Sequence, residues 1–418
     1  MTKMTSDVST SITKKGAKIE NVLVLQGGGS LGAFGCGVYK ALAQNDIKID
    51  IAAGTSIGGV NAAIIAGSKS NNEKRPEELL EDFWLEIADS FIEFDNSSHL
   101  LIPLLQQLIS NFYSYSLLSR QKRNSQMLDS LSYRSKSLSS FLSAAIFGVN
   151  KMFIPRWALE YALRDPEYFD PANWTYLYDH SPLAKTLEKY VNYDKLRPNG
   201  NPYTRLIMTA VNVLTSEPLT FDSFSQQITS KHILATCGYS SYNFGWIEIE
   251  KGVYAWDGSL LSNTPLREVI DASPVNDKRI FLVENYPKRI ESLPENLPEV
   301  HHRTRDIIFC DKTLSTVQMS KVITRYLRYI DELYQVIESS VDLSKVDRKQ
   351  LEMIRKKYKR YKEETGAEIK GVYYISREES GHSIYENADF SPRSIKVSIK
   401  DGERKTEEVI SKIKIECS

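Results

Sequence analysis

The sequence predicts an α/β protein whose mainly parallel sheet is flanked by helices. Residues 21–26 form an apolar run rich in β-formers, and a glycine-rich turn and a helical pattern at 31–44 follow it. A second apolar run at 49–53 leads through another glycine-rich turn into an Ala- and Ile-rich helix start. Successive strand–turn–helix units place their strands side by side and parallel, so this repetition predicts a parallel sheet covered by helices.

Later parts of the chain supply further strands. They are predicted at 205–214, 219–224, 247–249, 253–256 and 279–284. The third and fourth of these runs have the spacing of a hairpin, which ends at Asp257. A Pro-rich stretch at 287–298 follows the last strand and indicates a boundary.

These elements divide the chain into regions. Residues 1–20 are polar and predict a flexible N-terminus, and residues 21–286 form the predicted sheet-containing core. Within this core, residues 96–200 contain two apolar runs, many serines and local basic residues, which favour a helical insertion. Residues 287–418 predict a mostly helical C-terminal region with one late strand at 371–377.

The composition of the chain argues against several classes of function. The 418 residues include 53 Lys and Arg against 53 Asp and Glu, so the chain lacks the basic footprint of a nucleic-acid-binding protein. The four cysteines are far apart, which disfavours a disulfide framework or a zinc site. The apolar runs are too short to span a bilayer, and the polar first 20 residues are not a Sec signal peptide. We therefore expect a cytoplasmic protein that at most touches a membrane, with specialised export left open.

The second glycine-rich turn contains a Gly-x-Ser-x-Gly pattern at Gly54, Ser56 and Gly58. A nucleophilic serine must project from a sharp strand-to-helix turn, and flanking glycines permit the close approach that this turn requires. The following helix N-terminus favours a developing negative charge. The alternative is a tight turn that needs glycines for packing alone.

The first glycine-rich turn, Gly27-Gly28-Gly29-Ser30-Leu31-Gly32, has two interpretations. It fits the dinucleotide fingerprint, and it also suits an oxyanion hole of backbone N–H groups. A dinucleotide fold needs an acidic residue at the end of the second strand, but the nearby acid, Asp50, stands at the beginning of that strand. A nucleotide-binding oxidoreductase is therefore the less favoured alternative.

A nucleophilic serine needs a base. The six histidines lie in no recognisable catalytic turn, although a Ser-His-Asp triad stays open because its members need not be close in sequence. Asp257 follows a short β-run and precedes Gly258, which places its carboxylate at a strand end. Taken alone, this Asp-Gly pair also fits an ordinary hairpin turn.

The three motifs in this order resemble those of the patatin-like phospholipases, over about residues 20–285. The resemblance implies a three-layer sandwich and a Ser–Asp dyad, with Ser56 as the nucleophile and Asp257 as the base. It implies an acyl-serine intermediate and requires no cofactor or metal. It also implies an oxyanion hole formed by the backbone N–H groups of Gly27, Gly28, Gly29 and Ile57. The other glycines of the motifs, which have structural roles, are Gly32, Gly54, Gly58 and Gly258.

The sequence departs from this family pattern at two positions. Leu31 stands where many members carry a basic residue, so a side-chain positive charge is lost from the first motif. Ser259 replaces the usual Gly or Ala of the third motif. Near the C-terminus, Asp389-Phe390-Ser391 precedes a final predicted helix and is similar to a tail found on a bacterial subgroup of the family.

The resemblance implies a lipid ester substrate, cleaved as by a phospholipase A or a lysophospholipase. We hypothesise that apolar residues of the insertion form a lid or groove beside Ser56 and that nearby basic residues touch anionic head groups; ordinary core packing is the alternative. These apolar residues are Leu100, Leu101, Leu104, Leu105, Leu108, Ile109, Phe141, Leu142 and Ile146. The second function class is a non-enzymatic lipid-binding or scaffold protein on the same fold.

Overall fold

The structure is a computed structural model. It describes residues 19–70, 74–90, 140–200, 203–273, 276–295, 297–310, 313–340, 347–365, 369–378 and 385–417. The strands of these residues are β1 (Ile19–Leu25), β2 (Ile51–Thr55), β3 (Ile154–Pro155), β4 (Tyr178–Asp179), β5 (Arg205–Asn212), β6 (Pro218–Asp222), β7 (Ile247–Glu250), β8 (Val253–Asp257), β9 (Asp277–Glu284) and β10 (Ile369–Ser376).

Helices cover the sheet. They are α1 (Gly32–Gln44), α2 (Ile57–Ala66), α3 (Pro76–Asp89), α4 (Leu159–Ala162), α5 (Ser181–Leu187), α6 (Ser230–Cys237), α7 (Leu266–Ala272), α8 (Leu297–Phe309), α9 (Thr313–Ser340), α10 (Arg348–Thr365) and α11 (Pro392–Cys417). Residues 140–147 are also helical. No helix of the described residues is long and apolar enough to cross a membrane.

The main sheet has the strand order β10-β9-β1-β2-β5-β8-β7, with β6 also paired to β5. The five strands from β10 to β5 are parallel, whereas β6, β7 and β8 pair antiparallel with their neighbours. The predicted fold class, a mainly parallel sheet flanked by helices, is thereby confirmed.

β1 explains why the sheet has helices on both faces. Its side chains from Val22 to Leu25 are all buried, so neither face of the strand meets solvent. Leu23 and Leu25 point into one apolar cluster, whereas Val22 and Val24 point into another. Alternate side chains of a strand point to opposite faces, so a continuous apolar run needs packing partners on both faces.

The edge of β5 brings two distant strand ends together. β2 pairs with the first part of this edge, and its last pair joins Thr55 to Thr209. β6 occupies the other edge of β5. Antiparallel β8 therefore pairs with β5 on the same edge as β2, just beyond the end of β2, and its last residue, Asp257, lies opposite Ala210. β2 and β8 therefore meet end to end, with their C-terminal residues facing each other.

The chain beyond residue 286 returns to the same sheet. β10, which the sequence predicted at 371–377, pairs in parallel with β9 and forms the sheet edge. The final helix, α11, packs along α1 on the face of the first apolar cluster, to which it contributes Ile395, Ile399 and Ile410. The C-terminal region that the sequence separated at 287 thus supplies both a strand and a covering helix.

The predicted insertion is described only in part. Its first apolar run, at 100–109, lies outside the described residues, as do the basic residues that follow it. In the second run, Phe141 stacks on Tyr385 of the C-terminal region with ring centroids 4.2 Å apart. The lid hypothesis stays a prediction.

Candidate active site

Ser56 stands at a sharp turn between β2 and α2. Its backbone has φ 57° and ψ −132°, a conformation that is strained for a residue with a side chain. A Cβ atom on Gly54 would overlap the carbonyl oxygen of Gly58, and one on Gly58 would overlap that of Leu25. The two flanking glycines are therefore required by the approach of strand and helix, as the Gly-x-Ser-x-Gly pattern predicted.

A threonine from α6 holds this turn. The Ser56 N–H donates to Thr236 Oγ1 at 3.1 Å, and the Thr236 hydroxyl donates in turn to the Thr209 carbonyl at 2.6 Å. Thr236 is fully buried, so it satisfies two polar groups that have no access to water. Sequence reasoning missed Thr236; the one available signal was a polar side chain inside an otherwise apolar helical run.

Asp257 ends β8 with its carboxyl group buried in the protein. One carboxylate oxygen, Oδ1, accepts the N–H of Ser259 at 2.8 Å. The other, Oδ2, is buried and has no hydrogen-bond partner among the residues that the structure describes. Burial raises the pKa of Asp257 to about 6, against the lowering effects of Ser259 and of the nearby Ser56 hydroxyl.

The described histidines make their contacts elsewhere. His180 is buried and its Nε2 lies 3.0 Å from the Leu234 carbonyl. His232 bonds Thr229 at the start of α6. His302 lies beside Asp306 on α8. In this part of the chain, the hydroxyl of Ser56 has the carboxylate of Asp257 as its basic neighbour.

The first glycine-rich turn lies against Ser56 and against the loop that follows Asp257. A Cβ atom on Gly27 would lie 2.9 Å from Ser56 Cβ and 3.2 Å from Ser259 Oγ. The Gly27 N–H donates to Asn263 Oδ1 at 3.0 Å. The N–H of Gly27, one of the four predicted oxyanion donors, therefore has Asn263 as its acceptor in this structure.

The other predicted oxyanion donors are differently placed. Gly28 and Gly29 have φ values of 152° and 58°, and Gly29 in particular occupies the left-handed region that favours glycine. The N–H of Ile57 opens α2, directly after Ser56. Within the described ranges, these three N–H groups have no hydrogen-bond acceptor.

Two asparagines join the glycine turn to neighbouring loops. Asn263 accepts the Gly27 N–H, and the Ser259 hydroxyl donates to the same Oδ1 at 3.0 Å. Asn285 Nδ2 donates to the carbonyls of Gln26 and Gly27 at 3.0 and 3.1 Å. The loop that carries the three glycines is therefore held to the Asp257 loop on one side and to the end of β9 on the other.

Leu31, where many family members carry a basic residue, has an apolar environment. It packs with Tyr286 and Phe309, and partly buried Tyr239 borders the same cluster. Phe309 belongs to α8 and Tyr286 follows β9, so this wall beside the glycine turn comes from the C-terminal half of the chain.

Residues 23–270 match the sequence model of the patatin-like phospholipases. The chain belongs to this family. Membership confirms the family that the three ordered motifs predicted, and it places the protein among lipid ester hydrolases. It also disfavours the nucleotide-binding oxidoreductase. No curated protein sequence matches the chain.

Two solved structures of bacterial proteins are similar to this patatin-like chain. VipD from Legionella pneumophila is 16% identical, over 96% of this chain and 69% of VipD, with a TM-score of 0.38. Full-length ExoU, in complex with SpcU of the Pseudomonas aeruginosa type III secretion system, is 19% identical over 69% of this chain, with a TM-score of 0.24. The alignment spans 48% of that ExoU chain.

Proposed function

We propose that the protein hydrolyses carboxylic esters of lipids, as a phospholipase A or a lysophospholipase does, through an acyl-serine intermediate on a Ser56–Asp257 dyad. The observation that carries this proposal is the buried Asp257 carboxylate, which has one unpartnered oxygen beside the hydroxyl of a serine at a strained turn. Buried polar atoms are rarely left without a partner, and catalytic sites are among the places where they are.

The two groups share the proton transfers. Ser56 Oγ attacks the acyl carbon while its proton passes to Asp257 Oδ2, and the carbonyl electron pair moves to oxygen. The N–H groups of Gly28, Gly29 and Ile57 stabilise this oxyanion, and the positive end of α2 adds to the effect. The leaving alcohol takes the proton from Asp257, and the acyl-serine remains. Asp257 then takes a proton from a water molecule, whose oxygen attacks the acyl carbon. The bond from this carbon to Ser56 Oγ breaks, Oγ takes the proton back from Asp257, and the fatty acid leaves.

A general base must be ionised to accept a proton, so the pKa of Asp257 determines how kcat/KM depends on pH. Because burial raises the pKa of Asp257 to about 6, kcat/KM on a neutral ester is expected to rise with pH through about 6 and then to level off. A profile that is flat from pH 5 to 8 would contradict the role of Asp257 as the base.

Covalent labelling tests the nucleophile. A fluorophosphonate probe is expected to label the wild type, and Ser56→Ala is expected to abolish labelling and to lower kcat on a p-nitrophenyl ester by about 10⁴-fold or more. Ser225→Ala, at an exposed serine, is the matched control and should label normally. If the folded wild type neither labels nor cleaves any ester, the non-enzymatic lipid-binding alternative is favoured instead.

A lipid panel then defines the substrate. Phospholipids, acylglycerols and short polyesters are compared with the wild type and with Ser56→Ala. We expect turnover of phospholipid or lysophospholipid that Ser56→Ala loses. Peripheral membrane contact stays a prediction. Co-sedimentation with phospholipid vesicles would test it, and the Ser56→Ala variant is used because it would not hydrolyse the vesicle lipids.

A further inference from the structure

The loop that carries the three glycines is held largely by residues beyond the family-matched segment. Gln26 accepts the N–H of Asn285 at 2.9 Å, and a Cβ atom on Gly28 would lie 3.3 Å from the Tyr286 hydroxyl. Asn263, which binds the Gly27 N–H, itself donates to the Phe309 carbonyl at the end of α8 at 3.2 Å. The conformation of this loop thus depends on parts of the chain after residue 270.

The turn at Glu386–Ala388 makes the closest of these contacts. Ser30 Oγ donates to the Glu386 carbonyl at 2.6 Å. The next carbonyl, of Asn387, lies so near to Gly29 that a Cβ atom there would overlap it. Gly29 adopts a positive φ of 58°, and Asn387 covers it on one side. The position of Asn387 therefore limits how this part of the loop can move.

Two arginines hold this turn in place. Arg305 Nη1 donates to Asn387 Oδ1 at 2.7 Å, and its Nη2 donates to the fully buried Asp306 at 2.7 Å. Arg377 makes a two-point contact with Glu386, and its Nε donates to the Asn285 carbonyl at 3.0 Å. Arg305 also lies over the Tyr286 ring, 5.3 Å from its centroid.

We propose that Arg305 and Asn387 are positioning residues for the oxyanion loop: they fix the turn against which Gly29 rests, so that the Gly28 and Gly29 N–H groups point at the developing oxyanion. This inference rests on the proposed hydrolase function. Donors that are already oriented require no reorganisation when charge develops, and a shift of about 1 Å can lower a rate by about 10²-fold. Arg305 acts on Gly29 through Asn387 and takes no part in bond making.

Full-length Asn387→Ala and Arg305→Lys test the proposal. Asn387→Ala removes the acceptor of Arg305 but leaves Arg305 paired with Asp306. Arg305→Lys keeps the charge beside Asp306 but loses the planar, two-sided geometry. We expect each variant to lower kcat on a p-nitrophenyl ester by about tenfold or more with KM within about twofold. The matched controls are Asn173→Ala and Arg355→Lys, at an exposed asparagine and at an exposed arginine that binds Glu338; neither should change kcat.

An inhibitor separates positioning from simple loss of structure. A trifluoromethyl ketone forms a tetrahedral adduct with the serine that carries an oxyanion, so its affinity is expected to fall by the same factor as kcat. A lowered melting temperature with unchanged kcat and unchanged inhibitor affinity would overturn the inference. If the wild type does not label with fluorophosphonate, the proposed function fails; if it labels and both variants equal it in kcat, the positioning inference alone fails.

Discussion

At the residue scale, the buried carboxylate of Asp257, the proposed base, has a cost in stability. Its carboxyl group is fully buried, and burial raises the pKa to about 6 from an ordinary value of 3.8. Ionisation is therefore easier in the unfolded chain than in the folded protein. The folded state loses stability as the pH rises from about 4 through about 6, and above that range the difference amounts to roughly 3 kcal/mol.

Asp257→Asn is therefore expected to abolish turnover and to stabilise the fold. The amide keeps an oxygen that accepts the Ser259 N–H and removes the buried charge. Urea unfolding at pH 7.5 should show a free energy of unfolding higher than that of the wild type by up to roughly 3 kcal/mol. The difference should shrink below pH 6 and disappear near pH 4, where both side chains are neutral. A variant that is less stable at pH 7.5 would contradict this account of Asp257.

Thr236 is expected to matter for both the turn and the rate. Thr236→Val keeps the shape of the side chain but removes its hydrogen bonds with the Ser56 N–H and the Thr209 carbonyl. We expect a loss of about 1–3 kcal/mol in the free energy of unfolding and a fall of about tenfold in kcat, because the elbow is no longer held.

The control for this variant is another buried threonine. The Thr406 hydroxyl donates to the Gly402 carbonyl within α11, far from Ser56 in sequence and on a different helix from Thr236. Thr406→Val should leave kcat unchanged. If both valine variants show the same kcat as the wild type, Thr236 supports the fold alone.

At the scale of elements, the packing of α1 against α11 explains why two positions outside the sequence motifs are glycine. A Cβ atom on Gly37 would overlap the Ile399 carbonyl, and one on Gly402 would overlap the Phe34 carbonyl. The two helices therefore cross with their backbones in contact. For Gly37 the partner is a helix more than 350 residues away in the chain.

Gly37→Ala is expected to destabilise the protein. Alanine favours a helix over glycine by about 1 kcal/mol, but here its methyl group must displace the backbone of α11. We expect the free energy of unfolding to fall by about 1–3 kcal/mol in urea titration. Lys400→Ala, at an exposed position of α11, should change it by less than about 0.5 kcal/mol. A stabilised Gly37→Ala would show that the two helices are not in close contact.

The strand ends show which part of the Ser56–Asp257 arrangement is visible in the sequence. The elbow at Ser56 depends on glycines two residues away on either side, which is a local requirement visible in the sequence. Asp257 had a local interpretation as a turn, and the motif order alone connected it to Ser56. Their contact arises because β2 and β8 share one edge of β5. Strand pairing of this kind depends on the whole sheet.

At the scale of the whole molecule, the C-terminal half completes the hydrolase core. β10 pairs with β9, α11 packs on α1, and α8 with the Glu386–Ala388 turn holds the loop of Gly27, Gly28 and Gly29. The sequence predicted a division near residue 287 because a Pro-rich stretch interrupts the pattern there. Residues 287–295 of that stretch are exposed or partly exposed, and β10 and α11, which come after it, pack against the same sheet.

The sequence by itself determined the fold class, the family and the two residues proposed to react, because each depends on short patterns: buried runs, glycine turns and their order. Only the tertiary structure decided how the site is held. The bond from Asn263 to Gly27 joins residues 236 positions apart, and the bond from Ser30 to Glu386 joins residues 356 positions apart. No local pattern encodes such pairs. They follow from sheet order and helix packing, which also bury Asp257 Oδ2 near Ser56 with no hydrogen-bond partner in the described part of the chain.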